Sequence, residues 1–309
     1  MGTRGSALAV RQTEYVVCRL RAVHPGLAVE VRRIRTEGDR IKDAPLAQIG
    51  GRGVFVKEIE QALQAGSIDL AVHSLKDMTT TLPEGLAIGA VLAREDARDA
   101  LVSPRGYRLA TLSSGARIGT GSLRRAAQLR AWRRDLQVVE LRGNVETRLR
   151  KAEGEDLAAI VLAAAGLRRL GLAERIADYF PVDLMTPAVG QGALAVEVRL
   201  ADEAVLRLVE PLHDQATSAA VAAERSLLRT LGGGCQVPVA AFAQEYDGAL
   251  QLTGMVASLD GTVVLRETLT GDVDRPEELG RALGERLRAL GATHLLASET
   301  LASAPVNHR

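Results

Sequence analysis

Across the first two hundred residues, short apolar runs alternate with stretches whose apolar residues recur at helical spacing. That alternation restricts the chain to a layered α/β architecture in which crossover helices cover a largely parallel sheet. Residues 7–23 carry a helical period with Ala9, Val16, Leu20 and Val23 on one face, and Pro25-Gly26 stops it. A strand-like run LAVEVRRIR follows, then a Gly-rich loop at 50–53, the helix VFVKEIEQALQAG, the strand IDLAVHS and, after a Pro-Glu-Gly turn, the run LAIGAVL. The cycle restarts beyond residues 93–98 with RIGT, a helix from about Ser122, LQVVEL, a helix from about Asn144, AAIVLA and a further helix. Two βα blocks meeting near 93–98 are therefore expected.

After GQGALAVEV and two helices over 201–231 the pattern changes. Runs at 237–244, 249–257 and 262–269, separated by YDG and LDG turns, alternate as antiparallel strands do, and a final helix covers 276–290. The expectation is a third, α+β domain with a three-stranded antiparallel sheet. With 39 lysines and arginines against 38 aspartates and glutamates, the net charge is +1. No global field then draws the chain to nucleic acid or anionic lipid, so anion binding has to come from local clustering. Two cysteines, a start MGTRGSALAV without a signal pattern, and no apolar run near 18 residues point to a cytoplasmic chain with reduced thiols and no membrane span.

Three times a strand runs into a small polar residue and then a helix bearing arginine: GTRGSALA, IGTGSLRRAAQ and LRGNVETRLR. Free amides at a helix start favour an anion, Ser6, Ser122 or Asn144 can cap, and guanidinium forks grip carboxylates through two bonds. Arg4, Arg124, Arg125, Arg142 and Arg148 are thus candidates for one polyanion site, although each cradle alone reads equally as a routine capped helix. In VHSLKD, Lys76 and Asp77 sit where a strand leaves the sheet, and an aspartate among arginines suits stabilisation of a developing cation. Taken alone, Asp77 could also be a turn residue. His73 reads as a hydrogen-bonded core histidine, and no metal-ligand spacing occurs. Cys18 falls away from the apolar face of its helix, whereas Cys235 follows three glycines and precedes Gln236-Val237-Pro238. Its thiol could be a nucleophile or an attachment point, or a small residue in a tight turn.

Taken together, TRGS, GGRGVFVKEIE, DLAVHSLKD, GTGSLRR, LRGNVETR, PAVGQGA and GGGCQVP resemble, in order and spacing over essentially the whole chain, the porphobilinogen deaminase (hydroxymethylbilane synthase) family. The resemblance implies two doubly wound lobes built like periplasmic binding proteins around a cleft, residues 1–92 plus about 193–210 and residues 98–186, with a smaller α+β domain at 215–309. It implies a dipyrromethane cofactor held by a thioether to Cys235. Four porphobilinogen molecules would lose ammonia and be joined head to tail on that primer, with water finally releasing hydroxymethylbilane. Asp77 matches the catalytic aspartate; Arg4, Ser6, Lys76, Thr120, Ser122, Arg124, Arg125, Arg142, Arg148 and Arg169 resemble carboxylate-binding positions; Phe55, Ser74 and Gln191 match residues lining the cleft. A cytoplasmic monomer is expected.

This chain departs from the pattern in a short start before Arg4, in GTGS for the usual GTSS, in Arg52 and Gln48, and in Ala97 within REDARD. Three rivals remain at this stage. A non-catalytic two-lobed binding protein for carboxylates would not need Cys235 or a third domain. A cysteine hydrolase would need a base beside the thiol. A nucleic-acid binder using LRRAAQLRAWRRD conflicts with the near-neutral charge, that helix reading more simply as an exposed amphipathic surface.

Overall fold

The computed structural model describes residues 1–36, 56–154, 156–232 and 238–302. Cys235, Phe55, Gln48, Arg52 and the 50–53 loop lie outside them. In chain order the first lobe supplies β1 (Gly2–Arg4), α1 (Ala7–Val23), β2 (Arg32–Ile34), α2 (Lys57–Gln64), β3 (Leu70–Ser74) and β4 (Leu86–Val91). The second supplies β5 (Asp99–Val102), β6 (Arg117–Gly119), α3 (Leu123–Trp132), β7 (Gln137–Val139), α4 (Val145–Gly154), β8 (Ala159–Ala163), α5 (Ala164–Arg169) and β9 (Asp178–Tyr179). Then come β10 (Leu194–Arg199), α6 (Glu203–Val209), α7 (Gln215–Leu231), the strands β11 (Val239–Tyr246), β12 (Ala249–Ala257) and β13 (Val264–Gly271), and helices α8 (Pro276–Ala289) and α9 (Ala292–Ala302).

The strands form two five-stranded sheets, β2-β1-β3-β10-β4 and β7-β6-β8-β5-β9, and the three-stranded sheet β11-β12-β13. Sequence alternation predicts parallel sheets, and the structure corrects this to mixed ones. β10 returns from the far side of the second lobe and inserts antiparallel between β3 and β4, and β5 pairs antiparallel with β8 and β9. A returning strand has no short crossover to fix its direction, so periodicity could not reveal it. Its near-continuous apolar run fits a strand buried on both faces. Within it Glu197 is fully buried and sits 3.0 Å from His73 Nε2, an ion-pair distance, but these atoms make no hydrogen bond among the described residues, so the hydrogen-bonded core histidine expected from sequence is a buried histidine facing a buried carboxylate.

Other differences are local. The strand expected over 27–35 shrinks to Arg32–Ile34, because Leu27 and Val29 pack on the first-lobe core without entering a ladder. Val23 is exposed instead of lying on the buried face of α1, which is formed by Gln12, Thr13, Val16, Val17 and Leu20. Despite the short start, Gly2–Arg4 still pairs parallel with both β2 and β3. In the third domain, Asp247 (φ 50) and Gly248 (φ 75) close the tight hairpin expected at YDG. Leu227, Leu252, Leu283 and Leu287 fill its core, and α9 beyond Gly291 was not legible.

One buried ion pair joins the three parts. Arg94, on the segment between the lobes, donates to both carboxylate oxygens of Glu224 on α7 (2.7 and 3.2 Å) and to the Gln191 carbonyl (2.8 Å). Glu224 also accepts from the backbone N–H groups of Gly190 (2.7 Å) and Ala243 (2.9 Å). A carboxylate with every lone pair answered inside the protein fixes backbone from the interlobe connections and the third domain at one point.

Candidate active site

The three cradles form as the spacing predicts, each beyond the carboxyl end of a strand. Ser6 Oγ accepts from Ala9 N at the start of α1 (3.3 Å), Ser122 Oγ from Arg125 N at the start of α3 (3.4 Å), and Asn144 Oδ1 from Thr147 N at the start of α4 (2.8 Å). Between α1 and the end of β3 lies a recess lined by Arg4, Ser6, Gln12, Val56, Ser74 and Asp77. Ser74 and Gln12 hydrogen-bond across it (2.8 Å).

Lys76 and Asp77 form a single 3₁₀ turn after β3. The lysine stem is partly exposed, but its ammonium is enclosed. Burial pulls its pKa from 10.5 to about 8; Asp77 and Asp99 oppose the shift, and Arg125 and Arg124 reinforce it. Arg148 on α4 is likewise pulled down by burial, to about 10, with Arg125 and Arg142 adding to the shift and Asp77 opposing it. Asp77 of the first lobe therefore lies within electrostatic reach of Lys76 beside it and of Arg148 across the cleft.

The paired arginines of α3 are not solvated. Arg124 donates to Asp99 Oδ2 (2.7 Å) and the Thr186 carbonyl (2.7 Å), and Arg125 to Asp99 Oδ1 (2.9 Å) and the Val161 carbonyl (3.1 Å). Asp99, the first residue of β5, is fully buried. Burial works against its charge, but the two guanidiniums and the Gln191 amide (3.0 Å) overcome that and hold its carboxyl well below the usual range. Gln191 is thus a buried strut under the arginines, and its amide also donates to the Ala97 carbonyl (2.6 Å). The expected exposed surface at LRRAAQLRAWRRD is corrected too. Residues 124–129 of α3 are all buried, because Leu129 packs in the second-lobe core, Arg124 and Arg125 turn onto Asp99, and Ala127 meets Ala240, Met255 and Ala257 of the third domain.

Of the remaining candidates, Thr120 Oγ1 accepts from Ser122 N (3.3 Å) and shapes the second cradle. Arg142 pairs with the Glu140 carboxylate. Arg169 donates to the Gly192 carbonyl (2.7 Å), bridging the second lobe to the return segment, and burial lowers its pKa. Gly121, the departure in GTGS, has a steric meaning: a Cβ there would stand 2.6 Å from the Leu141 carbonyl oxygen and 3.8 Å from an Arg148 terminal nitrogen. Glycine lets the second and third cradles close on each other.

This arrangement fits a carboxylate-rich group such as a dipyrromethane. The Nε atoms of Arg124 and Arg148 are buried and without a hydrogen-bond partner among the described residues. Two cationic N–H donors held out of water without acceptors are costly until an anion meets them. Asp99 was missed in sequence; its only signal is an acid heading the buried strand DALV in a chain whose twin arginines need a counterion.

Comparison with known proteins agrees. Residues 1–207 match the family described as "Porphobilinogen deaminase, dipyromethane cofactor binding domain", and residues 218–289 match its C-terminal domain. Curated relatives named porphobilinogen deaminase include those of Syntrophotalea carbinolica (54% identical over 99% of this chain and 97% of the relative), Geobacter metallireducens (52%; 96% and 93%) and Moorella thermoacetica (53%; 96% and 95%). A looser likeness of shape, TM-score 0.35 at 13% identity over 66% of this chain and 80% of the other, is to a Salmonella typhimurium periplasmic binding protein with arginine specificity. With both family domains matched in order and half the residues shared with these relatives along nearly their whole length, the chain belongs to the porphobilinogen deaminase family.

Proposed function

We propose that the Cys235 thiol carries the dipyrromethane on which this transferase of tetrapyrrole biosynthesis joins four porphobilinogen units, and that Asp77 is its catalytic residue. The observation that carries the reading is the meeting of Lys76-Asp77 from one lobe with Arg125 and Arg148 from the other. Each pyrrole unit brings two carboxylates, so the substrate and its product are polyanions, and a cleft with buried cations around one acid suits them. When bound, the dipyrromethane supplies a nucleophilic pyrrole carbon at a fixed place.

The chain's own residues then divide the work. The Asp77 carboxylate accepts hydrogen bonds from pyrrole N–H groups and stabilises positive charge that develops on the ring as ammonia departs. It would also take the proton released when the new carbon–carbon bond restores aromaticity. Arg148 and Lys76 hold substituent carboxylates, with Arg4 and Ser6 at the mouth of the recess and Thr120, Ser122 and Arg142 on the opposite wall. Arg124 and Arg125, braced by Asp99, present their remaining N–H donors as a fixed positive edge. Such pre-aimed donors cost no reorganisation during the reaction. In this reading residues 1–92 with 193–210, residues 98–186 and residues 215–309 act as three bodies of a cytoplasmic monomer.

The test is Asp77→Ala. The variant is expected to carry the dipyrromethane, seen by intact mass and the coloured Ehrlich reaction for pyrroles, while losing nearly all turnover of porphobilinogen. Wild-type turnover in that variant would remove Asp77 from the chemistry.

A further inference from the structure

We propose that the turn joining β12 to β13, with Gly261 at its tip, is a positioning element that sets where Arg124 and Arg125 stand relative to Pro238 and the start of the third-domain sheet. The proposal rests on the reading of Cys235 as the attachment point. A continuous path of contacts supports it.

At one end of the path lies α3, whose first turn carries both guanidiniums. Ala127 of this helix is fully buried in a cluster with Ala240, Met255 and Ala257 of the third domain. Gly261 adopts φ +73, and a Cβ there would come within 2.6 Å of Ala131 N and 2.7 Å of the Ala127 carbonyl oxygen. The turn seats directly on the helix backbone, so any side chain would push the two apart. Arg130 on the same helix donates to the Leu259 carbonyl (2.6 Å), and Arg266 on β13 reaches Gln128 Oε1 (3.4 Å). The turn is shaped in advance: Ser258 Oγ donates to Asp260 Oδ1 (2.6 Å) and accepts from Val263 N (3.0 Å), and Asp260 Oδ1 accepts from Thr262 N (2.9 Å).

At the other end lies Pro238, immediately before β11. Ala257 N donates to the Pro238 carbonyl (3.0 Å), and Val239 pairs with Val256 in the β11-β12 ladder. Strand, turn and helix therefore link Pro238 to the helix that carries the cations through hydrogen bonds and close packing. Lifting the turn moves the start of α3, and a misplacement of about 1 Å in a preorganised site can cost up to about a hundredfold in rate.

The experiment uses the full-length chain, first freed of cofactor and then reconstituted. Gly261→Ala adds the offending methyl; Arg130→Ala removes one tie without adding bulk and serves if the first variant fails to fold. Two quantities are read: the rate at which the two-ring mass appears on the protein, and the rise in melting temperature on loading. Loading is expected to slow by about tenfold in Gly261→Ala and by about threefold in Arg130→Ala, with a smaller rise in melting temperature in both. A merely structural role would lower the melting temperatures of the free and loaded forms equally and leave the loading rate alone. Wild-type loading rate and wild-type temperature rise in both variants would overturn the proposal while leaving the attachment reading intact. Failure of the wild-type protein itself to gain mass on the peptide bearing Cys235 would overturn the attachment reading and this inference with it.

Discussion

Asp99 offers the sharpest perturbation. It is fully buried, accepts from Arg124 (2.7 Å), Arg125 (2.9 Å) and Gln191 (3.0 Å), and is the counterion of both buried guanidiniums. Asp99→Asn keeps the size and one acceptor but removes the charge and turns an amide N–H₂ toward a cation. Breaking a buried pair by removing one partner costs roughly 3–5 kcal/mol, because the other charge stays buried and uncompensated. At about 1.5 °C per kcal/mol for a chain of 309 residues, the melting temperature of the cofactor-free protein should fall by roughly 5–8 °C. The pH dependence has a fixed sign. Asp99 is held below its ordinary pKa in the folded chain, so its stabilisation is present above the unfolded value of about 4 and is lost as pH falls toward the folded value. The gap between wild type and variant should therefore be full at pH 7 and shrink on acidification below about pH 4. Urea unfolding of cofactor-free protein across pH measures both. A loss under about 1 kcal/mol, or a gap that does not change with pH, would refute the view that this carboxylate neutralises the pair.

Two further outcomes concern the cations. Lys76, with its pKa lowered to about 8 in the cofactor-free protein, should be about nine-tenths charged at pH 7 and about one-tenth at pH 9, so the rate at which cofactor-free protein captures the anionic two-ring primer should fall over that window, and the dependence should vanish in Lys76→Arg. For stability the sign is opposite: the unfolded chain binds the extra proton between about pH 8 and 10.5, so this group's contribution rises with pH there, and a flat or falling contribution would contradict the assigned burial. Arg148 is a half-buried cation whose Nε is an orphaned buried donor, so Arg148→Met should leave cofactor-free stability within about 1 kcal/mol of wild type or raise it, while sharply reducing the stabilisation that loading brings. A loss above about 3 kcal/mol before loading would mean that Arg148 already has its partner inside the protein.

Local features of the fold were legible because local physics produces them. Ser6, Ser122 and Asn144 cap their helices, the Asp247-Gly248 turn closes its hairpin, and the β3 exit holds Lys76 and Asp77. What stayed hidden depends on contacts distant in sequence. No pattern within GALAVEV says that it will insert antiparallel into a sheet begun at Gly2, and nothing within LRRAAQLRAW says that a third domain will pack against the helix. Asp99 and Glu224 escaped notice for the same reason, since a lone acid becomes informative only when its arginine is known to be buried beside it. Gly121 reads in sequence only as a departure in GTGS; the Leu141 carbonyl oxygen, 2.6 Å from where its Cβ would stand, makes it a point of close approach.

The thiol of Cys235 is the proposed anchor of the whole reaction, and peptide mapping by mass spectrometry tests it most directly. Protein made in cells able to synthesise porphobilinogen is expected to carry one two-ring pyrrole unit on the peptide containing Cys235, with Cys18 unmodified and the addition abolished in Cys235→Ser. A bare Cys235 peptide from protein that nevertheless converts porphobilinogen to hydroxymethylbilane would contradict it.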